Sequence, residues 1–161
     1  MPYEWLPSLV CHEEYGGDWN IYLEVIYGCF REDFIESQPW LVDRRVAVNR
    51  ATIHDGKELT FWHIISDGPI EEDRLPDFRR CECIRWPRSI IDAYSTANRV
   101  YYWEEKRGSQ KWILLALRDF SYVVVFAERK GYIVLWTAYC IERQHKMDKL
   151  KKNWEAYWKD K

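Results

Sequence analysis

The sequence predicts an α+β fold in which helices come first, a four-stranded antiparallel sheet follows, and a helix closes the chain. Three observations support this order. Apolar residues recur at three- and four-residue spacing near the start, four strand-like runs follow one another in the last third, and a charged segment comes after them. The separators between the four runs are short. Neighbouring strands should therefore be antiparallel, because a parallel pair needs a crossover of about a dozen residues or more.

The first element is an amphipathic helix, or two short ones, over residues 18–36, DWNIYLEVIYGCFREDFIE. Its apolar stripe consists of Trp19, Tyr22, Leu23, Ile26, Tyr27, Phe30 and Phe34. Asp18 follows two glycines and has the side chain of an N-cap residue, since its carboxylate can accept from the first free amides of a helix. Pro39 ends the helical segment, because the residue before a proline is pushed out of the helical region.

The middle of the chain is less regular. A short strand is expected around Arg45–Val48. The run LTFWHIISDG, residues 59–68, fits a strand and a short buried helix equally, because so short a run shows no clear periodicity. One helix is predicted at about 76–85, and a second is predicted to begin at Pro87 or Arg88 and to end at about 95, since proline suits a first helical turn.

The last third is rich in β-branched and aromatic residues, and it predicts the four strands of the sheet. The strands are expected at 100–105, 111–118, 121–129 and 132–139. A charged helix is expected over 142–159. The length of 161 residues suits one domain, 1–161, that buries a core of its own.

Composition excludes several classes of protein. Hydrophobic residues make up 47% and charged residues 31%, which argues against disorder, and no apolar run approaches the roughly 20 residues that a membrane-spanning helix needs. The N-terminus lacks the pattern of a signal peptide, and the five cysteines are odd in number and scattered, as in a reducing compartment. We therefore expect a cytoplasmic protein without membrane association.

Aromatic residues are unusually frequent, with 10 Trp and 11 Tyr. Such side chains bury large areas in cores, and they are also the platforms on which single-stranded bases stack. The net charge of −2 gives no overall basic signature. It does not exclude nucleic acid as a partner, because phosphate binding depends on the charge of one face.

The last predicted strand ends on Thr137 and Tyr139, two polar groups after an apolar run. Side chains alternate along a strand, so these two should share one face, and Ile133 and Leu135 should lie on that same face. A hydroxyl beside a phenol at a strand end can orient a phosphate or a 2′-hydroxyl group. Hydrogen bonding within the fold would explain the same residues.

Four arginines fall within twelve residues of the middle segment: Arg74, Arg79, Arg80 and Arg85. Guanidinium groups that converge can clamp a phosphate and stabilise charge that develops on it, but neighbouring carboxylates could instead hold several of them in surface ion pairs. His63 stands in the apolar run FWHIIS. It is suited either to the core or to general acid–base chemistry near neutral pH.

Motifs of other catalytic classes are absent from the sequence. It contains no glycine-rich phosphate loop, no G-x-S-x-G, no H-E-x-x-H and no two cysteine pairs of the kind that bind zinc. We therefore expect no metal and no cofactor. Metal-free cleavage of an RNA phosphodiester needs a base for the 2′-hydroxyl, cations for the charge of the phosphorane, and an acid for the leaving group. His, Arg, Thr and Tyr side chains can supply these.

Three segments together resemble the barnase–EndoU–colicin–RelE (BECR) superfamily of metal-independent ribonucleases, and in particular its phage-associated branches. They are FWHIIS, RCECIRWPRSII and YIVLWTAY, and the similarity covers about residues 40–140. The helices at 18–36 and 142–159 lie outside it. The resemblance implies a nuclease core, an RNA substrate and, as in toxin members, an antitoxin or immunity protein as partner.

The resemblance also implies roles for individual residues. His63, Arg80, Thr137 and Tyr139 are the expected catalytic residues, and Arg74, Arg79 and Arg85 are expected to bind the substrate. The predicted function is therefore an endoribonuclease of phage or toxin type that acts by 2′-hydroxyl attack. The alternative is a non-catalytic phage accessory or inhibitor protein that binds another protein through an aromatic surface. A domain that binds single strands without cutting them is a third interpretation.

Overall fold

The computed structural model describes residues 3–70, 73–96 and 99–161. These residues form a mixed α+β structure with five α-helices and ten strands. The helices are α1 (Trp19–Phe30), α2 (Leu59–Ile65), α3 (Phe78–Glu82), α4 (Trp86–Thr96) and α5 (Gln144–Lys159). The strands are β1 (Trp40–Leu41), β2 (Arg44–Ala47), β3 (Thr52–His54), β4 (Lys57–Glu58), β5 (Ser66–Asp67), β6 (Leu75–Pro76), β7 (Val100–Arg107), β8 (Gln110–Leu117), β9 (Tyr122–Arg129) and β10 (Tyr132–Cys140).

The main sheet in the described residues has six strands, in the order β1-β2-β10-β9-β8-β7. Strands β7 to β10 form the expected antiparallel meander. The prediction of four strands was too low because β1 and β2 also belong to the sheet. β2 pairs with β10 in parallel, and β1 pairs with β2 in antiparallel fashion. Strands of two and four residues are too short to reveal which partner they take.

Hydrophobic side chains pack on both faces of this sheet. On the first face, residues of α1, α2 and α4 such as Ile26, Phe61 and Ile90 form the larger core with the sheet. On the second face, α5 lies against β7 and covers a smaller core that includes Trp103. Because both faces are covered there, β8 and β9 are almost continuous apolar runs in which neighbours enter opposite cores.

The helices follow the sequence pattern with some changes in length. The Asp18 carboxylate caps α1 by accepting from the Ile21 amide at 3.2 Å, and a π-helical turn, Arg31–Ile35, continues the helix. The ambiguous run at 59–68 is a helix followed by the two-residue strand β5. The helix expected at 76–85 is only α3, capped by Asp77 at its start.

No helix among the described residues is both long and apolar enough to cross a membrane.

Candidate active site

A β-bulge in β10 decides which way the polar strand end faces. Leu135 lies opposite Phe126 of β9, whereas Thr137 lies opposite Val125, so Trp136 is an extra residue on β10. A bulge of this kind reverses the alternation of side chains for all residues that follow it.

The expectation that Thr137 and Tyr139 lie on the face of Ile133 and Leu135 is therefore wrong. Ile133 and Leu135 are buried in the larger core on the first face. Thr137 and Tyr139 lie opposite Val125 and Val123, two residues of the smaller core, and so they lie on the second face.

The part of β10 that follows the bulge has a strand partner, β9, on one side only. β2 pairs with β10 only over Tyr132–Val134. Beyond Val134, helices α2 and α3 pack against the strand. The two helices are tied together because the Asp77 amide, just before α3, donates to the Ile65 carbonyl at the end of α2, at 2.8 Å. This arrangement brings residues of the middle segment to Thr137 and Tyr139.

Arg80 of α3 joins these elements through its guanidinium group. Its Nη1 donates to the carbonyl oxygens of Ser66 at 2.7 Å and His63 at 3.3 Å, and to Thr137 Oγ1 at 3.3 Å. The last carbonyls of an α-helix have no partner within the helix, so Arg80 stabilises the end of α2. Only 12% of its side chain is exposed.

The guanidinium group also reaches the residues at the surface. Arg80 Nη2 lies 3.3 Å from Asp67 Oδ1, and the carboxylate side chain is 67% exposed. The guanidinium carbon lies 5.2 Å from the centre of the Tyr139 ring, a cation–π distance. Arg80, Thr137 and Tyr139 are thus brought together, with Asp67 as the anion at their outer side.

His63 contributes its backbone to this cluster. Its carbonyl accepts from Arg80 and from Thr137 Oγ1, the latter at 3.3 Å. Its ring centre lies 5.6 Å from the ring of Trp136, and the residue is 8% exposed. His63 therefore joins the cluster through its carbonyl, while its ring lies against the tryptophan of the bulge.

An open cleft of about 500 Å³ lies outside Arg80 and Tyr139. Of the described residues that line it, four are basic, namely Arg79, Arg80, Arg143 and Lys146, and three are acidic, namely Asp67, Asp77 and Glu142. Arg79 is shared between Glu82 at 3.8 Å and Glu142 at 3.7 Å. A second cleft of about 480 Å³ adjoins the first at Tyr139 and adds Arg107 and Lys149.

The basic residues Arg143, Lys146 and Lys149 were not among the predicted site residues, because the resemblance covers only about residues 40–140. The signal for them was the basic character of the segment that follows Tyr139. A helix that starts directly after the site strand places its first turns beside that strand's end, and here Arg143 and Lys146 line the cleft.

Two of the arginines expected to bind the substrate lie elsewhere. Arg85 forms ion pairs with Glu32 at 2.8 Å and Asp33 at 3.0 Å, on the segment that follows α1. Arg74 Nε donates to the Gly68 carbonyl at 2.9 Å. Neither arginine lines the cleft. Only Arg79 and Arg80 of the four reach it.

The pKa values of two groups at the cleft are shifted from their usual values. Burial raises the pKa of the Tyr139 phenol, and the charges of Arg107 and Arg80 offset only part of this. Tyr139 is therefore a hydrogen-bond donor at neutral pH. The pKa of the Cys140 thiol is lowered by a hydrogen bond from Cys83, whose sulfur lies 3.8 Å away, although burial opposes the effect.

A candidate metal cluster lies outside the cleft. Among the described residues, Cys11, Glu13 and Glu82 have ligand atoms within 4.8 Å of one another. None of the three lines the cleft.

Comparison with known proteins returned no relatives. No protein-family model matches the chain, and no curated protein and no solved structure is similar enough to be matched.

Proposed function

We propose that the protein is a metal-independent endoribonuclease of phage or toxin type that cleaves RNA by attack of the 2′-hydroxyl on the adjacent phosphate. One observation carries this proposal: Arg80, Thr137 and Tyr139 converge beside a cleft with four basic residues. A guanidinium with a phenol donor beside it is suited to bind a phosphate and to stabilise the extra charge of its transition state.

Arg80 would hold the scissile phosphate through its outer nitrogen. That position is now taken by the Asp67 carboxylate at 3.3 Å. The Asp67 side chain is 67% exposed, so water weakens its hold on Arg80, and an RNA phosphate with further partners in the cleft can displace the carboxylate. Nη1, held by the Ser66 and His63 carbonyls, keeps the guanidinium in place during the exchange.

Tyr139 would orient the phosphate directly, and Thr137 would do so through Arg80, whose Nη1 donates to Thr137 Oγ1. His63 would move the protons. The Tyr139 phenol stays protonated and can donate to a phosphate oxygen. Imidazole is the side chain best suited to act as base and then as acid near neutral pH. The support for this role is the position of the His63 backbone, whose carbonyl accepts from Arg80 and Thr137, whereas its ring lies against Trp136 and the residue does not line the cleft.

The test is incubation of the purified chain with a labelled oligoribonucleotide in the presence of EDTA, with analysis of the product ends. We expect cleavage that leaves a 2′,3′-cyclic phosphate. Thr137→Val and Tyr139→Phe each remove one hydroxyl and keep the shape of the side chain, and we expect each to reduce the cleavage rate by roughly 100-fold or more. Arg31→Gln, an exposed change on the segment after α1, is the control and should cleave normally.

Intact RNA with a folded wild-type protein would overturn this proposal. It would favour the alternative, a non-catalytic accessory or inhibitor protein that binds a partner by an aromatic surface. In the described part of the chain, the exposed aromatic side chains are Trp40, Phe78 and Trp158, which belong to β1, α3 and α5. For a toxin, the partner would be an antitoxin or immunity protein, and the proposed location is the cytoplasm.

A further inference from the structure

A second groove, of about 520 Å³, lies on the second face of the sheet where β2, β10 and β9 meet. We name it the arginine groove after Arg45, Arg50 and Arg129, which line it together with the rings of Tyr132 and Trp136. Helix α5 covers the same face at its opposite edge, against β7, and contributes no residue to this groove. The proposed function makes no use of it.

The groove concentrates positive charge in a protein whose net charge is −2. Among the described residues that line it there are three arginines and no carboxylate. Glu128, next to Arg129 in the chain, lies on the opposite face, where it pairs with Arg44 at 3.6 Å and Lys111 at 3.3 Å. Arg129 itself donates to the Gln110 side chain at 3.1 Å and to a backbone carbonyl. The three arginines therefore make the electrostatic potential of the groove positive.

The aromatic rings of the groove are ordered by their neighbours. The Arg45 guanidinium lies 4.9 Å from the centre of the Tyr132 ring. The Trp136 ring packs edge-on against Trp112, with 5.5 Å between the ring centres, and it also meets the ring of His63. Rings held in this way lose little freedom when a flat ligand stacks on them. Arginines interleaved with aromatic rings are the usual means of binding single-stranded nucleic acid.

The groove and the cleft beside Arg80 belong to one strand and one face. Tyr132 and Val134 lie on the second face because Ile133 is buried on the first. The bulge at Trp136 returns Thr137 to that second face. From Tyr132 to Thr137 the strand advances about 17 Å, the reach of a few nucleotides. An extended anionic chain could therefore follow β10 from the groove, past Trp136, to the cleft.

We infer that the arginine groove binds a single-stranded stretch of the substrate RNA to one side of the cleaved bond. Arg45 and Arg50 contact its phosphates, and Tyr132 and Trp136 stack on its bases. The inference rests on the proposed function, since it assigns to the same enzyme a subsite away from the reacting phosphate. It also explains how an acidic protein can hold RNA firmly, because the cations of this subsite act locally.

The test measures binding apart from cleavage. The probe is a fluorescent oligoribonucleotide with 2′-O-methyl groups, which lacks the attacking hydroxyl. The variant is Arg45→Gln/Arg50→Gln, whose two side chains are exposed. We expect its affinity to fall roughly tenfold or more at low salt. We also expect the slope of log affinity against log salt concentration to decrease by about 0.7 for each phosphate that an arginine no longer neutralises.

The matched control is Arg31→Gln/Arg99→Gln. It removes two exposed arginines that line neither the groove nor the cleft, and it gives the same net charge. Equal affinity of the two double variants for the probe would overturn the inference, as would a wild-type protein that does not bind the probe. Cleavage of unmodified RNA is scored separately, so failure of the nuclease proposal and failure of the groove give different results.

A second measurement needs no variant. The wild-type protein is treated with phenylglyoxal, which modifies accessible arginines, with and without the 2′-O-methyl probe. Mass spectrometry then locates the modified residues. Protection of Arg45 and Arg50 by RNA, with Arg31 and Arg99 still reactive, supports the groove. Modification of all four residues to the same extent with and without RNA would contradict it.

Discussion

Arg80 is the residue on which both the fold and the proposed chemistry depend. Its Nη1 group satisfies carbonyl oxygens at the end of α2, while its Nη2 group faces the cleft. Replacing Arg80 would leave buried carbonyls without partners, at a cost of about 1–3 kcal/mol each. A loss of activity in such a variant would therefore not separate catalysis from folding. The neighbouring carboxylate offers a cleaner test.

We expect Asp67→Asn to strengthen the binding of RNA. The change removes the negative charge that lies 3.3 Å from Arg80 and competes with a phosphate for it. Because Asp67 is largely exposed, the gain should be modest, about two- to fivefold in affinity for the non-cleavable probe. Fluorescence anisotropy measures it. The control is Asp160→Asn at the end of α5, which changes the net charge equally, and an equal gain in both variants would refute a local effect.

The positions of some residues of the candidate site could be predicted from the sequence, and those of others could not. The hydroxyl and phenol at the end of β10 and the nearby Arg80 were predicted together, and the structure brings them together. Arg85 could not be assigned, because its partners Glu32 and Asp33 stand more than fifty positions earlier in the chain. Sequence spacing gives no information about such a contact. The carboxylates close to Arg85 in the chain suggested different ion-pair partners for it.

At the scale of elements, β10 holds the site because it changes partners along its length. Its first residues pair with β2, and its later ones have α2 and α3 at the same edge. The strand was predicted with nearly the right bounds, but its bulge was not, since both faces of Tyr132–Trp136 carry apolar residues and an extra residue leaves no mark in such a run. Because the bulge was not predicted, Thr137 and Tyr139 were assigned to the wrong face of the sheet.

The attachment of α5 to β7 should depend on pH through Glu105. Its Oε2 accepts from Trp103 Nε1 at 2.8 Å and from Asn153 of α5 at 3.1 Å. Burial disfavours the charged form, but these hydrogen bonds and Arg107 outweigh it, so the pKa of Glu105 lies below its usual 4.5. A lowered pKa means that the stabilisation is complete above pH 4.5 and is lost as the pH falls through the folded-state value.

We therefore expect Glu105→Gln to reduce the free energy of unfolding by about 1–2 kcal/mol at neutral pH. The difference from the wild type should shrink as the solution is made acidic, because the wild-type carboxyl is then protonated too. Denaturant unfolding at a series of pH values measures both. A difference that stays constant down to acidic pH would contradict the assignment. Glu155→Gln, on the exposed side of α5, should unfold like the wild type throughout.

At the scale of the whole molecule, the protein is a sheet with helices on both faces, and its basic groups are unevenly spread. The cleft and the arginine groove both lie along β10, although the net charge is −2. The net charge alone gives no sign of these basic groups. Their distribution in three dimensions is what an anion would meet, because it responds to the groups within about a Debye length of roughly 10 Å.

Helix α5 should stabilise the protein mainly through the side chains that it packs on the smaller core. Trp154 lies against Tyr101, with 4.2 Å between ring centres, and against Phe120 of the smaller core. We expect Trp154→Ala to lower the free energy of unfolding by about 2–4 kcal/mol. Trp158→Ala, at an exposed position one turn later, should cost clearly less. Chemical denaturation followed by circular dichroism gives both values, and equal losses would contradict this view of the helix.

The overall class was predictable because strong local patterns agree with it. The meander required only apolar runs and short turns, α1 required only apolar residues at helical spacing, and α5 was expected from its charged composition after the last strand. The edge pair β1 and β2 could not be predicted in full. The parallel contact of β2 with β10 joins residues more than eighty positions apart, and it depends on how the intervening helices pack.

The bulge at Trp136 also means that the length of β10 controls the site as strongly as its composition does. No substitution can carry Thr137 and Tyr139 from one side of the sheet to the other. Removal of one residue at position 136 would do so in a single step, because the register of everything after it would turn over. For protein engineering, deletion and reinsertion of residue 136 is therefore a reversible means of moving both hydroxyl groups away from Arg80 and returning them, with the side chains at all other positions chemically unchanged.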